Sequence, residues 1–190
     1  RKDSAAEEAK ADVKLTALGF VVKAVSLSRR QQPGVKASVD MEKGELIYKD
    51  YVNIGLAVDT PRGLVVPVLR GCDQQSIPQI AKEIALTADK AKNAQYGVED
   101  LRGGTFTISN LGAIGGTFST PIINYPEVAI LLIGRSRKLP VVYEDRVEPR
   151  LMMPLSLSYD HRVIDGAMAA RFLKEVIGYL ESPGRLLLAM

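Results

Sequence analysis

The stretch LMMPLSLSYDHRVIDG, residues 151–166, decides the fold of this chain. Its first half alternates apolar and polar side chains, which predicts a β-strand from Leu151 to Tyr159. Pro154 lacks a backbone N–H, so this strand needs an edge position or a bulge there. Directly after the strand stands His161, the only histidine among 190 residues.

A helix is predicted to follow this histidine. Apolar residues recur at the spacing of one helical face from Ala169 to Leu180. Asp165 is placed to cap the start of the helix, and Ser182-Pro183-Gly184 to end it. His161 therefore lies at a junction between a strand and a helix, where a scaffold presents a side chain rigidly.

His161 is a candidate general base, because an unperturbed imidazole has a pKa of about 6.5. The alternative is a surface or hydrogen-bonded histidine with a structural role. Asp160 or Asp165 could orient the ring as in a catalytic triad, although we expect Asp160 to pair with a nearby arginine and Asp165 to cap the helix. The sequence contains no Gly-x-Ser-x-Gly elbow of a serine hydrolase.

The single cysteine, Cys72, excludes an intrachain disulfide and fits a reducing compartment. It could be a nucleophile partnered by His161, but its neighbours Gly71 and Asp73 match no cysteine-hydrolase signature. The alternative, a small buried hydrophobic side chain, is the commoner role of a lone cysteine.

The composition is that of an ordinary globular protein, with 46% hydrophobic and 25% charged residues. The 25 basic and 22 acidic residues are interspersed, and no basic stripe with aromatic residues occurs, so we expect no nucleic-acid partner. No apolar run approaches the roughly eighteen residues of a membrane span, and no signal peptide opens the chain. We therefore expect no membrane association.

The remaining sequence alternates predicted helices and strands, which indicates one α/β domain over residues 1–190. The predicted elements are a helix over 17–30 capped by Thr16, a hairpin of runs 51–58 and 64–69, a helix from the capping box at Ser76 to Gly97, a buried strand over 128–134, and a hairpin of runs 139–143 and 147–151.

Residues 105–110, TFTISN, form a second region of chemical interest. In a strand, Phe106 and Ile108 would face one side, and the hydroxyls of Thr105, Thr107 and Ser109 the other. The alternative to a functional role is the solvated face of an antiparallel sheet. The glycines at 112, 115 and 116 lack the Gly-Lys-Ser/Thr of a phosphate loop, so we interpret them as turn residues.

Three blocks of the sequence resemble one enzyme family. Residues 160–166, Asp-His-Arg-Val-Ile-Asp-Gly, resemble the active-site signature of the dihydrolipoamide acyltransferases, the core components of 2-oxo acid dehydrogenase complexes. Residues 104–112 (GTFTISNLG) and 120–130 (TPIINYPEVAI) look like further blocks of that family. A looser His-x-x-x-Asp-Gly pattern links the family to chloramphenicol acetyltransferase. The resemblance implies a chloramphenicol-acetyltransferase-like two-layer sandwich of a mixed β-sheet and helices.

The chemistry of the residues and the resemblance point to the same reaction. His161 would remove the proton from a thiol, and the hydroxyl of Ser109 would donate to the oxyanion formed when the thiolate attacks a thioester. The resemblance implies acyl transfer between dihydrolipoamide and coenzyme A. The position of Asp165 is Asp in many members and Asn in others, which argues against an essential charge there.

The resemblance also implies an assembly. Substrates of the family enter a channel from opposite ends, between neighbouring subunits of a trimer, and Ile122, Leu131, Thr107 and Asn110 are candidate channel residues. Trimers join into a cubic or dodecahedral core through apolar C-terminal residues, here Leu187, Leu188 and Met190. The alternative for these residues is docking on their own subunit.

Further expectations follow from the same resemblance. Coenzyme A is a substrate, the lipoyl group lies on a separate domain, and no metal is implied. The 2-oxo acid dehydrogenase and dihydrolipoamide dehydrogenase components would bind through domains outside this chain, in the bacterial cytoplasm or the mitochondrial matrix. Full catalytic domains of the family begin with an earlier helix and strand. The segment Arg1–Ala11 looks like the tail of a helix, so an N-terminally truncated domain is expected.

The sequence leaves alternatives for the acyl group that is transferred and for the class of protein. Residues 110–112 and 126–129 look more like acetyl- or branched-chain-transferring members than succinyl-transferring ones, and we favour acetyl. A free-standing acetyltransferase of the chloramphenicol type, or a core-forming scaffold without turnover, would also carry this fold.

Overall fold

A computed structural model describes residues 15–188. The predicted helix tail at Arg1–Ala11 lies outside the described residues. The helices are α1 (Ala17–Gln31), α2 (Ile77–Lys92), α3 (Gly166–Glu181) and α4 (Pro183–Leu188), with 3-10 turns at Pro33–Lys36, Val98–Leu101 and Leu111–Ile114. The strands are β1 (Ala37–Asp40), β2 (Glu45–Tyr48), β3 (Ile54–Thr60), β4 (Gly63–Val65), β5 (Val68–Leu69), β6 (Phe106–Asn110), β7 (Ala129–Ile133), β8 (Arg137–Tyr143), β9 (Arg146–Met152) and β10 (Leu155–Tyr159).

A mixed six-stranded sheet forms the centre of the fold. Its order is β10-β7-β6-β3-β4, with β5 pairing with β3. Strand β6 is parallel to both of its neighbours, β3 and β7, whereas β10 runs antiparallel to β7. The expected α/β architecture with a mixed sheet is confirmed.

The helices pack on the apolar side chains of one sheet face. Phe106 and Ile108 of β6 point toward them, and the ring of Phe106 lies 5.5 Å from that of Phe172 in α3. The core between these layers also takes in Val21 of α1 and Leu131 of β7. Because β6 alternates, Thr107 and Ser109 point to the opposite face.

Helix boundaries follow the predicted caps with two differences, one at the start of α1 and one at the end of α2. Helix α2 opens with the capping box, in which Gln79 N–H donates to Ser76 Oγ and Ser76 N–H donates to Gln79 Oε1. Helix α1 begins after Thr16, whose side chain makes no capping hydrogen bond. Helix α2 ends at Lys92 rather than at Gly97, because Ala94 adopts a left-handed φ of 54° and the N–H of Gln95 donates to Lys90 O at 2.8 Å.

The prediction of one strand from Leu151 to Tyr159 is wrong. Strand β9 ends at Met152 and pairs only with β8, and β10 begins at Leu155 in the central sheet. The break falls at Met153-Pro154, since proline cannot donate to a ladder. Both predicted hairpins are confirmed: β4 and β5 pair with β3, and β8 pairs with β9 through a two-residue turn at Glu144 and Asp145.

No helix in the part of the chain that the structure describes is both long enough and apolar enough to cross a membrane. Cys72 is fully buried, and burial raises the pKa of its thiol to about 12. A buried, protonated thiol is a poor nucleophile, so the structure favours the small hydrophobic role for this residue.

Candidate active site

His161 is exposed on the turn that joins β10 to α3. The N–H of Asp160 donates to Val128 O at 2.8 Å and fixes the start of this turn against β7. The ring of His161 lies 5.8 Å from that of Tyr159. The predicted strand-to-helix junction is thus confirmed, with the imidazole open to solvent in the single chain.

Both aspartates near this histidine have structural partners. Asp165 Oδ1 accepts from the N–H of Met168 at 2.7 Å and caps α3, as predicted. Asp160 forms an ion pair with Arg162 at 2.6 Å, and the hydrogen bonds from Arg162 lower the pKa of Asp160. These contacts occupy the two carboxylates that could otherwise have oriented the ring of His161.

Ser109 lies on β6, near the end of this strand, and is half-buried. Thr107 on the same face is 0% exposed, and β6 is flanked by parallel strands. The alternative of a solvated antiparallel face is therefore wrong. Thr107 and Ser109 lie on one face of the central sheet, whereas Thr105 directly precedes β6 and is 2% exposed.

The structure also reveals a buried carboxyl on this face. Thr107 Oγ1 donates to Glu127 Oε2 at 2.6 Å, and Glu127 is 7% exposed. Burial raises the pKa of Glu127 to about 7, although the hydrogen bonds from Thr107 and Asn124 and the charge of Arg29 oppose the shift. Sequence reasoning missed this residue; the signal was a lone acidic side chain directly before the apolar run 128–134.

Arg29 of α1 is a buried cation next to the start of β6. Its Nη1 donates to Thr105 Oγ1 at 2.6 Å and its Nη2 to Thr105 O at 2.9 Å. Burial lowers the pKa of Arg29 to about 9, which leaves it charged at neutral pH. The helical pattern of α1 gave no reason to single it out.

Ser109 and His161 lie at opposite ends of the sheet within one chain. Ser109 pairs with Leu132 of β7, whereas the residue before His161 bonds to Val128, which directly precedes that strand and lies four residues before Leu132. At about 3.3 Å per residue, the two levels are roughly 13 Å apart along β7, with β7 itself between the two side chains. A single chain therefore does not bring the predicted base and oxyanion donor together.

The four candidate channel residues occupy different environments. Ile122 is 90% exposed, and Asn110 lines a cavity of about 420 Å³ together with Gly112, Gly134 and Ser136. Leu131 is fully buried in the core beneath the helices, and Thr107 is fully buried against Glu127. Neither of these buried side chains faces open space in the described chain.

The apolar C-terminus divides between the core and the surface. Leu186 is buried at 2% exposure, whereas Leu188 is 91% exposed at the end of α4. Met190 and the side chain of Leu187 lie outside the described part of the structure. Among residues 15–188 there is no group of three or more His, Cys, Asp or Glu side chains that could hold a metal ion.

Comparison with known proteins identifies the family. The model of the 2-oxoacid dehydrogenases acyltransferase (catalytic domain) matches residues 1–188. The chain belongs to this acyltransferase family. A relative, the dihydrolipoyllysine-residue acetyltransferase component of the pyruvate dehydrogenase complex of Azotobacter vinelandii, is 51% identical over 167 residues. The match covers 88% of this acyltransferase chain and 26% of the relative, so the chain spans about a quarter of that protein's length.

Solved structures show the same relationship. The Azotobacter vinelandii dihydrolipoamide acetyltransferase has a TM-score of 0.93 at 48% identity, covering 98% of this chain and 77% of that chain. The cubic core of the pyruvate dehydrogenase multienzyme complex has a TM-score of 0.90 at 47% identity, covering 96% and 76%. Chloramphenicol acetyltransferase, at 18% identity and a TM-score of 0.59 over 93% and 83%, shares the fold, which confirms the expected fold class.

The Azotobacter vinelandii enzyme was studied for the role of a serine, a histidine and an asparagine in its catalytic mechanism. Ser109, His161 and Asp165 have the same spacing along this acyltransferase sequence as those three residues. Aspartate therefore stands here at the spacing where that enzyme has asparagine.

Proposed function

We propose that residues 1–190 form the catalytic domain of an acyltransferase that moves an acetyl group between dihydrolipoamide and coenzyme A. In this proposal His161 of one copy and Ser109 of another form each active site. Two observations together support this shared site. The spacing of Ser109 and His161 along the sequence matches that of the serine and histidine studied in the Azotobacter vinelandii enzyme. Within one chain, however, the two residues lie at opposite ends of the sheet.

The chemistry requires two groups. His161 accepts the proton of the incoming thiol, whose ordinary pKa of about 8.5 leaves little thiolate at neutral pH. The thiolate attacks the thioester carbon, and the carbonyl oxygen becomes an oxyanion that accepts a hydrogen bond from Ser109. The intermediate then collapses by breaking its other carbon–sulfur bond, and the leaving sulfur takes the proton from His161. A general base contributes about 10²–10⁴ in rate, and one oxyanion donor about 10²–10³.

An exposed apolar surface at the Ser109 end of the sheet supports a second copy there. Strands β8 and β9 leave the sheet at that end and, within residues 15–188, pair only with each other. On one face of this hairpin Val142, Val147 and Leu151 are 74%, 71% and 69% exposed. An isolated two-stranded hairpin is marginally stable in water, so this face needs a partner.

The proposed assembly is a homotrimer that joins further copies into a larger core, as in the cubic core of the pyruvate dehydrogenase multienzyme complex. Ile122 and Asn110 are the proposed channel residues that face solvent or a cavity. Coenzyme A is a substrate, and the lipoyl group is carried by a separate domain. The 2-oxo acid dehydrogenase and dihydrolipoamide dehydrogenase components are the proposed partners, in the cytoplasm, as the bacterial relatives suggest.

Mixing two inactive variants tests whether the site is shared. His161→Ala and Ser109→Ala proteins are each expected to lose most transfer from acetyl-CoA to dihydrolipoamide. In trimers assembled from an equal mixture, about a quarter of the interfaces pair an intact His161 with an intact Ser109. Mixed particles are therefore expected to recover about a quarter of the wild-type rate.

Three outcomes would contradict this function. Mixed particles that stay as inactive as the single variants would exclude an active site shared between copies. Wild-type protein that acetylates chloramphenicol but not dihydrolipoamide would favour a free-standing acetyltransferase. Particles of full size without transfer to either acceptor would favour a scaffold.

A further inference from the structure

The carboxyl of Glu127 is built into the sheet face that carries Ser109. Besides the hydrogen bond from Thr107, the carboxyl depends on one glycine for space. A Cβ at Gly104 would lie 2.5 Å from Glu127 Oε1, and one at Gly55 would lie 2.9 Å from Thr107 Oγ1, the donor to this carboxyl. A side chain at Gly104 would displace the carboxyl, and one at Gly55 would displace its donor.

Thr107 connects this carboxyl to the strand segment of Ser109. The two residues are separated by one position on β6, so their side chains point to the same face about 6.6 Å apart. With a hydrogen bond of 2.6 Å between Thr107 and Glu127, the carboxyl lies within roughly 10 Å of the Ser109 hydroxyl. The oxyanion of the proposed reaction would form beside that hydroxyl.

The charged groups around Glu127 have other direct partners. Arg29 of α1 donates both of its terminal nitrogens to Thr105, so it acts on Glu127 only through space. Asp160 and Arg162 share a cavity of about 200 Å³ with Glu127 but pair with each other. Tyr125 also lines this cavity and is 86% exposed.

We propose that Glu127 is a positioning residue for Ser109, that it acts through Thr107, and that its uncharged form is the competent one. The proposal rests on the proposed function, because it concerns the oxyanion of that reaction. A negative carboxylate roughly 10–12 Å from the oxyanion, at an effective dielectric constant of about 20, slows its formation roughly tenfold. The uncharged carboxyl keeps the contact with Thr107 without this repulsion. The raised pKa of Glu127, about 7, puts this change of charge near neutral pH.

The test compares pH profiles of kcat and KM for acetyl transfer between acetyl-CoA and dihydrolipoamide in the full-length protein. Glu127→Gln keeps the shape and a hydrogen-bond acceptor but cannot ionise. Glu99→Gln removes one carboxylate from an exposed position and is the matched control. Thr107→Val keeps the shape of the linking side chain but removes its hydroxyl.

Wild-type kcat is expected to fall with a midpoint near pH 7 on the alkaline side, and Glu99→Gln to follow it. Glu127→Gln is expected to lack this limb, so that it exceeds wild type about five- to tenfold at pH 8 and matches it within about twofold at pH 6. Thr107→Val is expected to lower kcat severalfold at pH 6. In each variant KM for acetyl-CoA should stay within about twofold.

A Glu127→Gln profile that keeps the wild-type alkaline limb would overturn the inference and leave the proposed function intact. Wild-type protein without any transfer would overturn both. The infrared difference spectrum between wild type and Glu127→Gln provides a readout without turnover. It should contain a protonated carboxylic acid band that disappears with a midpoint near pH 7, and absence of that band at pH 6 would also overturn the inference.

Discussion

The proposed roles of His161 and Ser109 depend on where the two side chains lie rather than on unusual neighbours. The imidazole is exposed beyond the last residue of β10, and the serine hydroxyl is half-buried near the end of β6. Asp160 and Asp165 stabilise the backbone around the histidine through an ion pair and a helix cap. At the scale of residues, the proposed site therefore combines a base on a well-anchored turn with a donor on a strand of the central sheet.

The two proposed roles predict different losses of activity. Ser109→Ala is expected to lower kcat about 10²–10³-fold because one oxyanion donor is lost. His161→Ala is expected to lower it about 10²–10⁴-fold, and the loss should shrink at high pH, where more of the thiol is already ionised. Steady-state transfer rates at pH 7 and pH 9 measure both effects. Equal and small losses in the two variants would contradict the assignment.

Glu127 also predicts a pH dependence of stability. Its pKa rises from an ordinary 4.5 to about 7 on folding, so the folded protein binds a proton more tightly than the unfolded chain. The resulting stabilisation is complete below pH 4.5 and is lost as the pH rises through 7. The free energy of unfolding of the wild type should thus fall by about 2–4 kcal/mol, relative to that of Glu127→Gln, between pH 4.5 and pH 8. Urea midpoints of the two proteins at pH 5 and pH 8 measure this difference, and a constant difference would contradict the raised pKa.

At the scale of elements, local chemistry predicted most boundaries. The cap at Asp165 and the capping box at Ser76 depend on neighbours three residues away, so sequence alone was sufficient to place them. Pro154 predicts an interruption of the strand. The sequence around it does not show that the two halves belong to different sheets. Pairing of distant strands is set by tertiary contacts that a local pattern does not contain.

Burial is the other property that local patterns left open. The apolar run 128–134 predicts a buried strand, but it does not show which of its side chains face the helices. Leu131, a candidate channel residue, lies in the core. Arg29 and Glu127 are charged, and such side chains are almost never fully buried without partners. Their roles emerge only once Thr105 and Thr107 are seen beside them.

The two helix starts provide a matched pair for a stability test. Ser76→Ala removes the side-chain acceptor of the capping box in α2 and is expected to cost about 0.5–2 kcal/mol. Thr16→Ala changes the N-cap of α1, whose side chain makes no capping hydrogen bond, and should cost less. Denaturant unfolding of both variants checks the order. A larger loss for Thr16→Ala would contradict the capping geometry.

At the scale of the whole molecule, the exposed apolar residues indicate where the proposed further copies would bind. The sheet holds Ser109 at one end and the turn of His161 at the other, so a repeating contact between unlike ends would complete one site at every interface. Such heterologous contacts close into rings when the rotation allows it. A trimer is the ring in the proposed function. The exposed surface of α4 is not needed for the contacts within that ring.

Leu188 is the described residue that best fits a contact between trimers, since it is 91% exposed while Leu186, two residues earlier, is buried at 2%. Removing residues 187–190, or replacing Leu188 by Ser, is therefore expected to split the large core into trimers. Transfer activity should survive, because the proposed site places Ser109 and His161 at the interface within a trimer, not between trimers. Leu64→Ser, at a position 70% exposed on β4, is the control for a general loss of surface hydrophobicity. Light scattering measures particle mass, and a core of unchanged mass in both C-terminal variants would show that these residues dock on their own subunit instead.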